Sequence, residues 1–459
     1  MTQDYSSLDA TAVIAGFQSE TLSTEAYAEF ITDQVQAHSA LNAISFFDAS
    51  TLKSRMSSAL SNHPKGALAG LPIVAKDNIN TTCFPTSAGT PALLDHVPES
   101  DAPVVKMIDS AGGLIGAKAG MHELAFGITS NNAATGAIHN PAAPDLIPGG
   151  SSGGTAAAIG AGIFPMGLGS DTGGSCRIPA ALCGTVGYRP SSGRYSQNGV
   201  IPISRTKDTV GSLARSVRDI ALMDSVLAAE SSPISGVDLG NIRLGVPTKG
   251  YYDTLDPEVE AVIESALNAL VKAGVTLVEV DASELLELNK VTSSPLVAVE
   301  SKEGLAQYLK EYAPHISFDQ LVSQIKSPDV ARVFAAIGPD SAQQLSAYQE
   351  AINTHIPAMK QKYHQLFNDN DLTGMIFPTT PITARPIGQD EQVSINGQNY
   401  GTFPTYVRNT DPITNIGAPG ISIPCPVGGG LPVGLECDAL PGQDRVLLGI
   451  AQAIEQALR

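Results

Sequence analysis

Three residues of the sequence have side chains and surroundings that could together cleave an amide. Lys76 directly follows the apolar run Leu71–Ala75, which has the length and composition of a buried strand. Burial disfavours the ammonium form of lysine, and a neutral amine is the form that acts as a general base. Ser151 follows two glycines, and Ser175 ends the run GSDTGGS. This combination is consistent with a serine nucleophile that a lysine base activates.

Other catalytic arrangements fit the sequence less well. Residues 149–153 match GxSxG, the nucleophile elbow of α/β-hydrolases, but that elbow also needs an acidic residue and then a histidine downstream. His315, His355 and His364 are available, and each lies in a polar, helical context typical of solvated histidines. The sequence has no HExxH, P-loop or GxGxxG motif. We therefore expect neither a metal site nor a cofactor.

The residues next to Ser175 have structural interpretations. Asp171 and Arg177 flank the serine, and we interpret them as an ion pair that fixes the loop rather than as catalytic groups. Cys176 follows Ser175 directly, but a nucleophilic thiolate needs a lowered pKa, and no neighbouring His or Lys in the sequence indicates one. We interpret Cys176 as a packing residue.

The elements around these residues predict an α/β fold. The strand before Lys76, a helical stretch that starts at Asp101 and a strand at Leu114–Ala117 form a βαβ pattern, which is typical of a mostly parallel sheet. Residues 146–194 are rich in Gly, Ser and Ala with interleaved apolar residues, and this indicates a tightly packed core rather than a linker. The first 60 residues are predicted to be helical. Residues 296–367 are helical in pattern and are candidates to cap a pocket.

Composition limits the classes of partner. Lys and Arg number 27 against 45 Asp and Glu, and the formal charge of −18 repels phosphate backbones and anionic lipid, so we expect neither nucleic acid nor membrane as a partner. Five cysteines without a CxxC pair indicate reduced thiols. The N-terminal MTQDYSSLDA does not resemble a secretory signal. We expect a cytoplasmic protein.

The segment GGSSGGTAAAIGAGIFPMGLGSDTGGSCRIPA resembles the hallmark of the amidase-signature family, and the resemblance continues to FPTTP and GLPVGLE near the C-terminus. It implies an α/β fold with a mixed, largely parallel central sheet covered by helices on both faces. It also implies a single amidase domain over residues 1–459, with N-terminal helices at 1–60 and the signature core at 65–230.

The resemblance assigns a role to each candidate catalytic residue. Ser175 is expected to attack the amide carbon and form an acyl-enzyme. Ser151, expected to follow a cis peptide bond, is expected to pass the proton of Ser175 to Lys76. The partner is a small-molecule amide, and a homodimer is left open. The backbone N–H groups expected to form the oxyanion hole are those of Thr172, Gly173, Gly174 and Ser175.

Within the family, the segments MHELAFGITSNN and NTDPITNIGAPGISIPCP look most like those of indoleacetamide and mandelamide hydrolases. This likeness suggests a primary amide with an aryl-acetyl part, hydrolysed to an acid and ammonia. A carbamate or anilide hydrolase with the same triad stays open, and so does the glutaminase subunit of a tRNA-dependent amidotransferase. The candidate substrate-binding residues are Leu124, Ala125, Phe126, Ile128, Thr379 and Asn409.

Overall fold

The computed structural model describes residues 4–337 and 341–459. Within these ranges, eleven strands form one central sheet, and two short hairpins lie outside it. The strands are β1 (Ile44–Phe47), β2 (Pro72–Lys76), β3 (Leu114–Ala119), β4 (Asn131–Asn132), β5 (Gly136–Ala137), β6 (Met166–Asp171), β7 (Val186–Arg189), β8 (Thr209–Ala214), β9 (Arg243–Lys249), β10 (Thr276–Asp281), β11 (Gly374–Pro378), β12 (Gln392–Ile395), β13 (Gln398–Gly401), β14 (Gly420–Pro424) and β15 (Gly434–Asp438). Their order across the sheet is β1-β3-β2-β6-β8-β7-β14-β15-β11-β9-β10.

Parallel pairing occurs in two blocks of this sheet. Strand β2 runs parallel to β3 and β6, and strand β9 runs parallel to β10 and β11. Antiparallel pairs connect the two blocks through the middle of the sheet and add β1 at one edge. The predicted βαβ unit around residues 71–117 forms part of the first block. The predicted α/β fold with a mixed central sheet is confirmed.

Helices flank the sheet on both faces, as predicted. Side chains of β8 point to the two faces in turn. On one face, Leu213 packs with residues of α5 and α6. On the other face, Val210 and Ala214 belong to the large core that contains α7 and α16. The helices are α1 (Ala10–Gln18), α2 (Thr24–Ala37), α3 (Ala49–Asn62), α4 (Pro103–Ser110), α5 (Gly153–Gly160), α6 (Arg177–Cys183), α7 (Val217–Leu227), α8 (Pro257–Lys272), α9 (Ser283–Tyr312), α10 (Phe318–Ser323), α11 (Pro328–Ile337), α12 (Ala342–Glu350), α13 (Ile356–Asn370), α14 (Thr402–Val407), α15 (Pro412–Ile416) and α16 (Asp444–Leu458).

The first 60 residues contain helices α1, α2 and α3, as predicted, but they also contain strand β1, so the prediction of helix throughout was wrong there. The strand sequence ISFF consists mostly of β-branched and aromatic residues, which favour extended backbone. It lies between Asn42, whose φ is 53°, and Asp48, which caps α3 by accepting the N–H of Ser50. Pairing with β3 then gives the strand its place at the edge of the sheet.

The glycine-rich stretch packs as closely as its composition predicted. A Cβ atom at Gly154 in α5 would lie 2.3 Å from the carbonyl oxygen of Gly120, and one at Gly167 in β6 would lie 2.7 Å from that of Val74. Only glycine allows these approaches. Ser151 immediately precedes α5, and Ser175 lies between β6 and α6, so rigid buried elements hold both serines.

The stretch 296–367 is mainly helical, as predicted, although α9 begins earlier, at Ser283. Residues 338–340 of this stretch, like residues 1–3 of the predicted N-terminal helices, lie outside the described residues. One buried core extends from Ala10 in α1 to Leu458 in α16. Throughout the two described ranges, no helix has both the length and the apolarity to cross a membrane.

Candidate active site

Lys76 ends β2 in the interior, where its amine contacts two serine hydroxyls. The distance from Lys76 Nζ is 2.7 Å to Ser151 Oγ and 2.9 Å to Ser170 Oγ. The lysine is completely buried, and within the described residues no carboxylate forms an ion pair with it. Burial lowers the pKa of Lys76 to about 8, although the negative charge of Asp171 acts in the opposite direction. The neutral amine is therefore populated at mildly alkaline pH.

Ser151 and Ser175 lie on two loops that touch each other. The Gly150–Ser151 peptide bond is cis, as the resemblance implied. The N–H of Ser152 donates to the carbonyl oxygen of Ser175 at 3.2 Å and joins the two loops. Ser151 is fully buried, whereas Ser175 is slightly exposed and lines a cavity. In the described part of the chain, the Ser175 hydroxyl has no hydrogen-bond partner of its own.

A buried ion network holds the loop that carries Ser175. Arg177 pairs with Asp171 at 3.0 Å and with Glu436 at 2.8 Å, and Arg189 lies 3.2 Å from the same Asp171 oxygen. Burial alone would raise the pKa of Asp171, but the two guanidinium groups outweigh it and hold that pKa well below its ordinary value. The predicted ion pair of Asp171 and Arg177 is confirmed. Arg189 and Glu436 were not predicted.

Asp171 also orients the backbone of this loop. Its carboxylate accepts the N–H of Gly174 at 3.0 Å and the N–H of Cys176 at 3.1 Å. The Gly174 N–H is thus engaged within the protein, which corrects the expectation that it is one of four donors facing a substrate. The donors that this carboxylate leaves for an oxyanion hole are the N–H groups of Thr172, Gly173 and Ser175.

Cys176 behaves as a packing residue, as predicted. Its side chain is fully buried and packs with Ala156 and Ile159 of α5 and Leu213 of β8. Burial raises the pKa of the thiol to about 12, and the nearby Asp171 acts in the same direction. Cys176 therefore stays protonated and does not compete with Ser175 as a nucleophile.

A cavity of about 810 Å³ opens beside Ser175. Thr172, Gly173 and Ser175 line it, together with Lys207 and Asp411, which form a buried ion pair at 2.8 Å. Most of the remaining wall is apolar and comes from residues 125–129 and from helices α9, α11 and α14. Apolar side chains that line the cavity include Phe126, Ile128, Val297, Val333, Ile337 and Val407.

The structure places three of the six predicted substrate-binding residues at this cavity and three elsewhere. Ala125, Phe126 and Ile128 line it. Leu124 instead packs into an apolar cluster with Met121 and Leu305, because its φ of 54° turns the chain sharply between Glu123 and Ala125.

Thr379 and Asn409 are also absent from the cavity wall, and their hydrogen bonds explain why. The hydroxyl of Thr379 is fully buried and lies 2.7 Å from the hydroxyl of Ser422. The amide of Asn409 donates to the carbonyl oxygen of Pro378 at 2.7 Å. Both side chains connect strands and loops in the interior and do not line this cavity, and a substrate contact stays a prediction for them.

Helix α11 is held against the cavity by buried polar contacts. The carboxylate of Glu123 accepts the N–H of Ser327 at 2.6 Å, just before the helix begins. His122 Nε2 lies 2.9 Å from Asp329 Oδ2 in the first turn of α11. Sequence reasoning proposed a helical cap in this region but indicated neither His122 nor Glu123 as its attachment. In the described residues, no cluster of three or more His, Cys, Asp or Glu side chains could hold a metal ion.

The profile of the Amidase family matches residues 23–448, and the chain belongs to this family. It is therefore an amidase, a hydrolase that acts on C–N bonds.

Two relatives and one solved structure are similar to most of the chain. The indoleacetamide hydrolase of Rhizobium radiobacter is 43% identical over 433 residues, which cover 94% of this chain and 92% of that relative. The mandelamide hydrolase of Pseudomonas putida is 39% identical over 409 residues, which cover 85% of this chain and 79% of that relative. A crystal structure of an amidase matches with a TM-score of 0.87 and 31% identity, and it covers 98% of this chain and 100% of its own.

Proposed function

We propose that this amidase hydrolyses a small arylacetamide-type primary amide to a carboxylic acid and ammonia through an acyl-enzyme on Ser175. The observation that carries the proposal is the direct 2.7 Å contact between the buried amine of Lys76 and the hydroxyl of Ser151, on the loop that adjoins Ser175. A base, a hydroxyl that can relay a proton and a hydroxyl open to a ligand thus lie in one place.

In the acylation step, the Ser175 hydroxyl turns towards Ser151 and gives it a proton, while neutral Lys76 accepts the proton of Ser151. The oxygen of Ser175 attacks the amide carbon, and the negative charge that develops on the carbonyl oxygen is stabilised by backbone N–H groups of the 172–175 loop. The C–N bond then breaks as Ser151 returns a proton to the nitrogen and is itself reprotonated by Lys76. Ammonia leaves, and the acyl group stays on Ser175.

In the deacylation step, water replaces Ser175 as the nucleophile. The same relay takes one proton from the water as its oxygen attacks the acyl carbon, and it then returns a proton to the oxygen of Ser175. The bond between the acyl carbon and Ser175 breaks, and the carboxylic acid is released. Ser151 and Lys76 end the cycle in the protonation states in which they began.

The cavity supports an aromatic acyl group. Its wall includes Phe126, Ile128, Val297 and Val333, and burial of an aromatic ring against such side chains is favourable by about 25 cal/mol for each Å² removed from water. In this proposal, helices α9 and α11 belong to the same single domain as the signature core and form one wall of the substrate site. The two named relatives, an indoleacetamide and a mandelamide hydrolase, point to the same substrate class.

Ammonia or amine release from a panel of substrates tests the substrate class. The panel contains indole-3-acetamide, phenylacetamide, mandelamide, glutamine, an anilide and a carbamate. We expect the highest kcat/KM for the arylacetamides, because their rings fill the apolar wall. Turnover of glutamine alone would contradict the proposal and favour a glutaminase subunit. A preference for the carbamate or the anilide would contradict the proposed substrate class but not the proposed serine mechanism.

The pH dependence of kcat/KM is expected to follow the protonation of Lys76. Burial lowers the pKa of this lysine to about 8, and only the neutral amine accepts a proton. Below that pH, kcat/KM should fall about tenfold for each unit, and above it the rate should level off. Initial rates between pH 6 and pH 10 measure this, and a flat profile across that range would argue against a lysine base.

Val297→Ala is expected to reduce the preference for aromatic amides. Val297 lines the cavity, so its truncation removes apolar contact with the ring and should lower kcat/KM for indole-3-acetamide about tenfold relative to acetamide. Val299→Ala is the matched control, because Val299 lies on the same helix and packs instead with Leu296 and Tyr348. Equal effects of the two substitutions on this ratio would show that Val297 does not contact the substrate.

A further inference from the structure

Two hydrogen bonds fix the peptide unit that joins Gly173 to Gly174. The hydroxyl of Thr410 donates to the carbonyl oxygen of Gly173 at 2.7 Å. On the other side, the N–H of Gly174 donates to Asp171 Oδ1 at 3.0 Å. The C=O and N–H of a trans peptide point in opposite directions, so these two partners hold the same plane from both sides.

This peptide unit needs an external restraint because both of its residues are glycines. Glycine populates positive and negative φ with similar ease, and Gly174 has a φ of 129°. A Cβ atom at Gly174 would lie 2.2 Å from Thr410 Oγ1, so the absence of a side chain is what lets the threonine come close. The same glycines that permit the contact leave the peptide free to rotate without it.

The restrained peptide lies between the N–H groups of Gly173 and Ser175, which are two of the three donors that Asp171 leaves for the proposed oxyanion hole. The carbonyl oxygen of Gly174 accepts the N–H of Ile178 at 2.7 Å, which directs the N–H of Ser175 to the opposite side. The N–H of Gly173 belongs to the peptide on the other side of the restrained unit. Rotation of the Gly173–Gly174 peptide would therefore displace both donors.

Thr410 is itself rigidly placed. It is fully buried, and its carbonyl oxygen accepts a hydrogen bond from Arg177 Nη2 at 2.9 Å. Arg177 is held in turn by Asp171 and Glu436. One buried network thus connects Thr410, on the segment between α14 and α15, with the loop of Ser175.

We infer that Thr410 is a positioning residue, which sets the orientation of the Gly173 and Ser175 N–H groups for the oxyanion of the transition state. The inference rests on the proposed serine mechanism. Thr410 touches no reacting atom, and its effect passes through the carbonyl oxygen of Gly173. Loss of its hydroxyl therefore weakens binding of the transition state and leaves binding of the ground state unchanged.

The experiment compares wild type with Thr410→Val, which is nearly isosteric but cannot donate, and with Thr410→Ser, which keeps the donor. It measures kcat and KM for phenylacetamide. It also measures inhibition by phenylmethylboronic acid, whose boron forms a tetrahedral adduct with a serine oxygen, and by phenylacetate, which forms none. Thr81→Val is the matched control, because Thr81 is buried, donates to the carbonyl oxygen of Phe84 and lies outside this loop.

We expect Thr410→Val to lower kcat by about 10-fold to 100-fold and to weaken the boronic acid by a similar factor, with unchanged KM and phenylacetate affinity. Thr410→Ser and Thr81→Val should resemble wild type. Wild-type kcat and boronic acid affinity in Thr410→Val would overturn the inference, and so would equal losses in Thr410→Ser. If Thr410→Val does not fold, Thr410→Ala against Thr410→Ser makes the same comparison. A wild-type enzyme that the boronic acid does not inhibit would instead overturn the serine mechanism, and this inference with it.

Discussion

Ser175→Ala is expected to lower kcat for indole-3-acetamide by roughly 10⁴-fold to 10⁶-fold, which places the residual rate at the limit of detection. The substitution removes the only oxygen that the proposal allows to attack the amide carbon. The side chain lines the cavity and has no hydrogen-bond partner in the described part of the chain, so the fold should be unaffected. Ammonia release and the thermal unfolding midpoint, measured on the same preparation, check both statements.

Cys176→Ala is the matched control for this loss. Cys176 is the neighbouring nucleophilic side chain, but it faces the α5 side of the core, and its pKa of about 12 keeps the thiol protonated. The variant should keep most of its activity, with some loss of stability from the truncated core residue. A fully active Ser175→Ala enzyme combined with an inactive but folded Cys176→Ala enzyme would reverse the assignment of the nucleophile.

Lys76→Met is expected to lower kcat/KM by about 10²-fold to 10⁴-fold and to remove the rise of activity with pH. Methionine keeps much of the aliphatic side chain of lysine in the buried site and removes the amine that contacts Ser151 at 2.7 Å. Initial rates between pH 6 and pH 10, measured at amide concentrations well below KM, give kcat/KM and show both its loss and the missing rise with pH. Ser151→Ala should give a loss of similar size, because the relay fails without either member.

A second buried lysine provides the control for the pH profile. Lys118 in β3 is also fully buried, and burial lowers its pKa to about 8 as well, but it pairs with Asp77 and donates to the carbonyl oxygen of Ile79 instead of contacting a serine. The double variant Lys118→Met and Asp77→Asn removes this pair without leaving a lone buried charge. If the alkaline rise persisted in Lys76→Met and disappeared in the Lys118 variant, Lys76 would not be the base.

The position of the candidate catalytic residues could be predicted from the sequence because the reasons for it are local. Lys76 ends an apolar run that becomes a buried strand, and the two serines lie in glycine loops next to α5 and α6. The small residues of this region, such as Gly154 and Gly167, allow its close packing and are visible in the sequence. The family resemblance then supplied the role of each residue, and the contact between Lys76 and Ser151 agrees with it.

The substrate pocket could not be predicted in the same way, because its wall comes from distant parts of the chain. Val297 in α9 and Val333 in α11 face the cavity, whereas Val299 faces the core, and no local pattern separates these valines. The sharp turn at Leu124 similarly takes this residue out of the cavity wall, which the residues that follow it line. The sequence indicated the helical region and the segment 125–128, and only tertiary packing decides which side chains line the cavity.

The buried charges were the other feature that the sequence did not reveal. Arg189 lies in β7 and Glu436 in β15, and no local sequence pattern marks either residue as part of a charge network. The sheet places β7 and β15 on either side of β14, and only this arrangement brings Arg189 to Asp171 and Glu436 to Arg177. The backbone of the Ser175 loop depends on this network, since Asp171 accepts the Gly174 N–H that the resemblance assigns to the oxyanion hole.

Mapping the covalent intermediate tests the central claim most directly. The enzyme is mixed with its best arylacetamide, acid-quenched during turnover and digested, and the peptide that carries the arylacetyl group is identified by mass spectrometry. The account predicts one arylacetyl group on the oxygen of Ser175 and none in the Ser175→Ala variant. An arylacetyl group on Cys176, or on any residue other than Ser175, would contradict it.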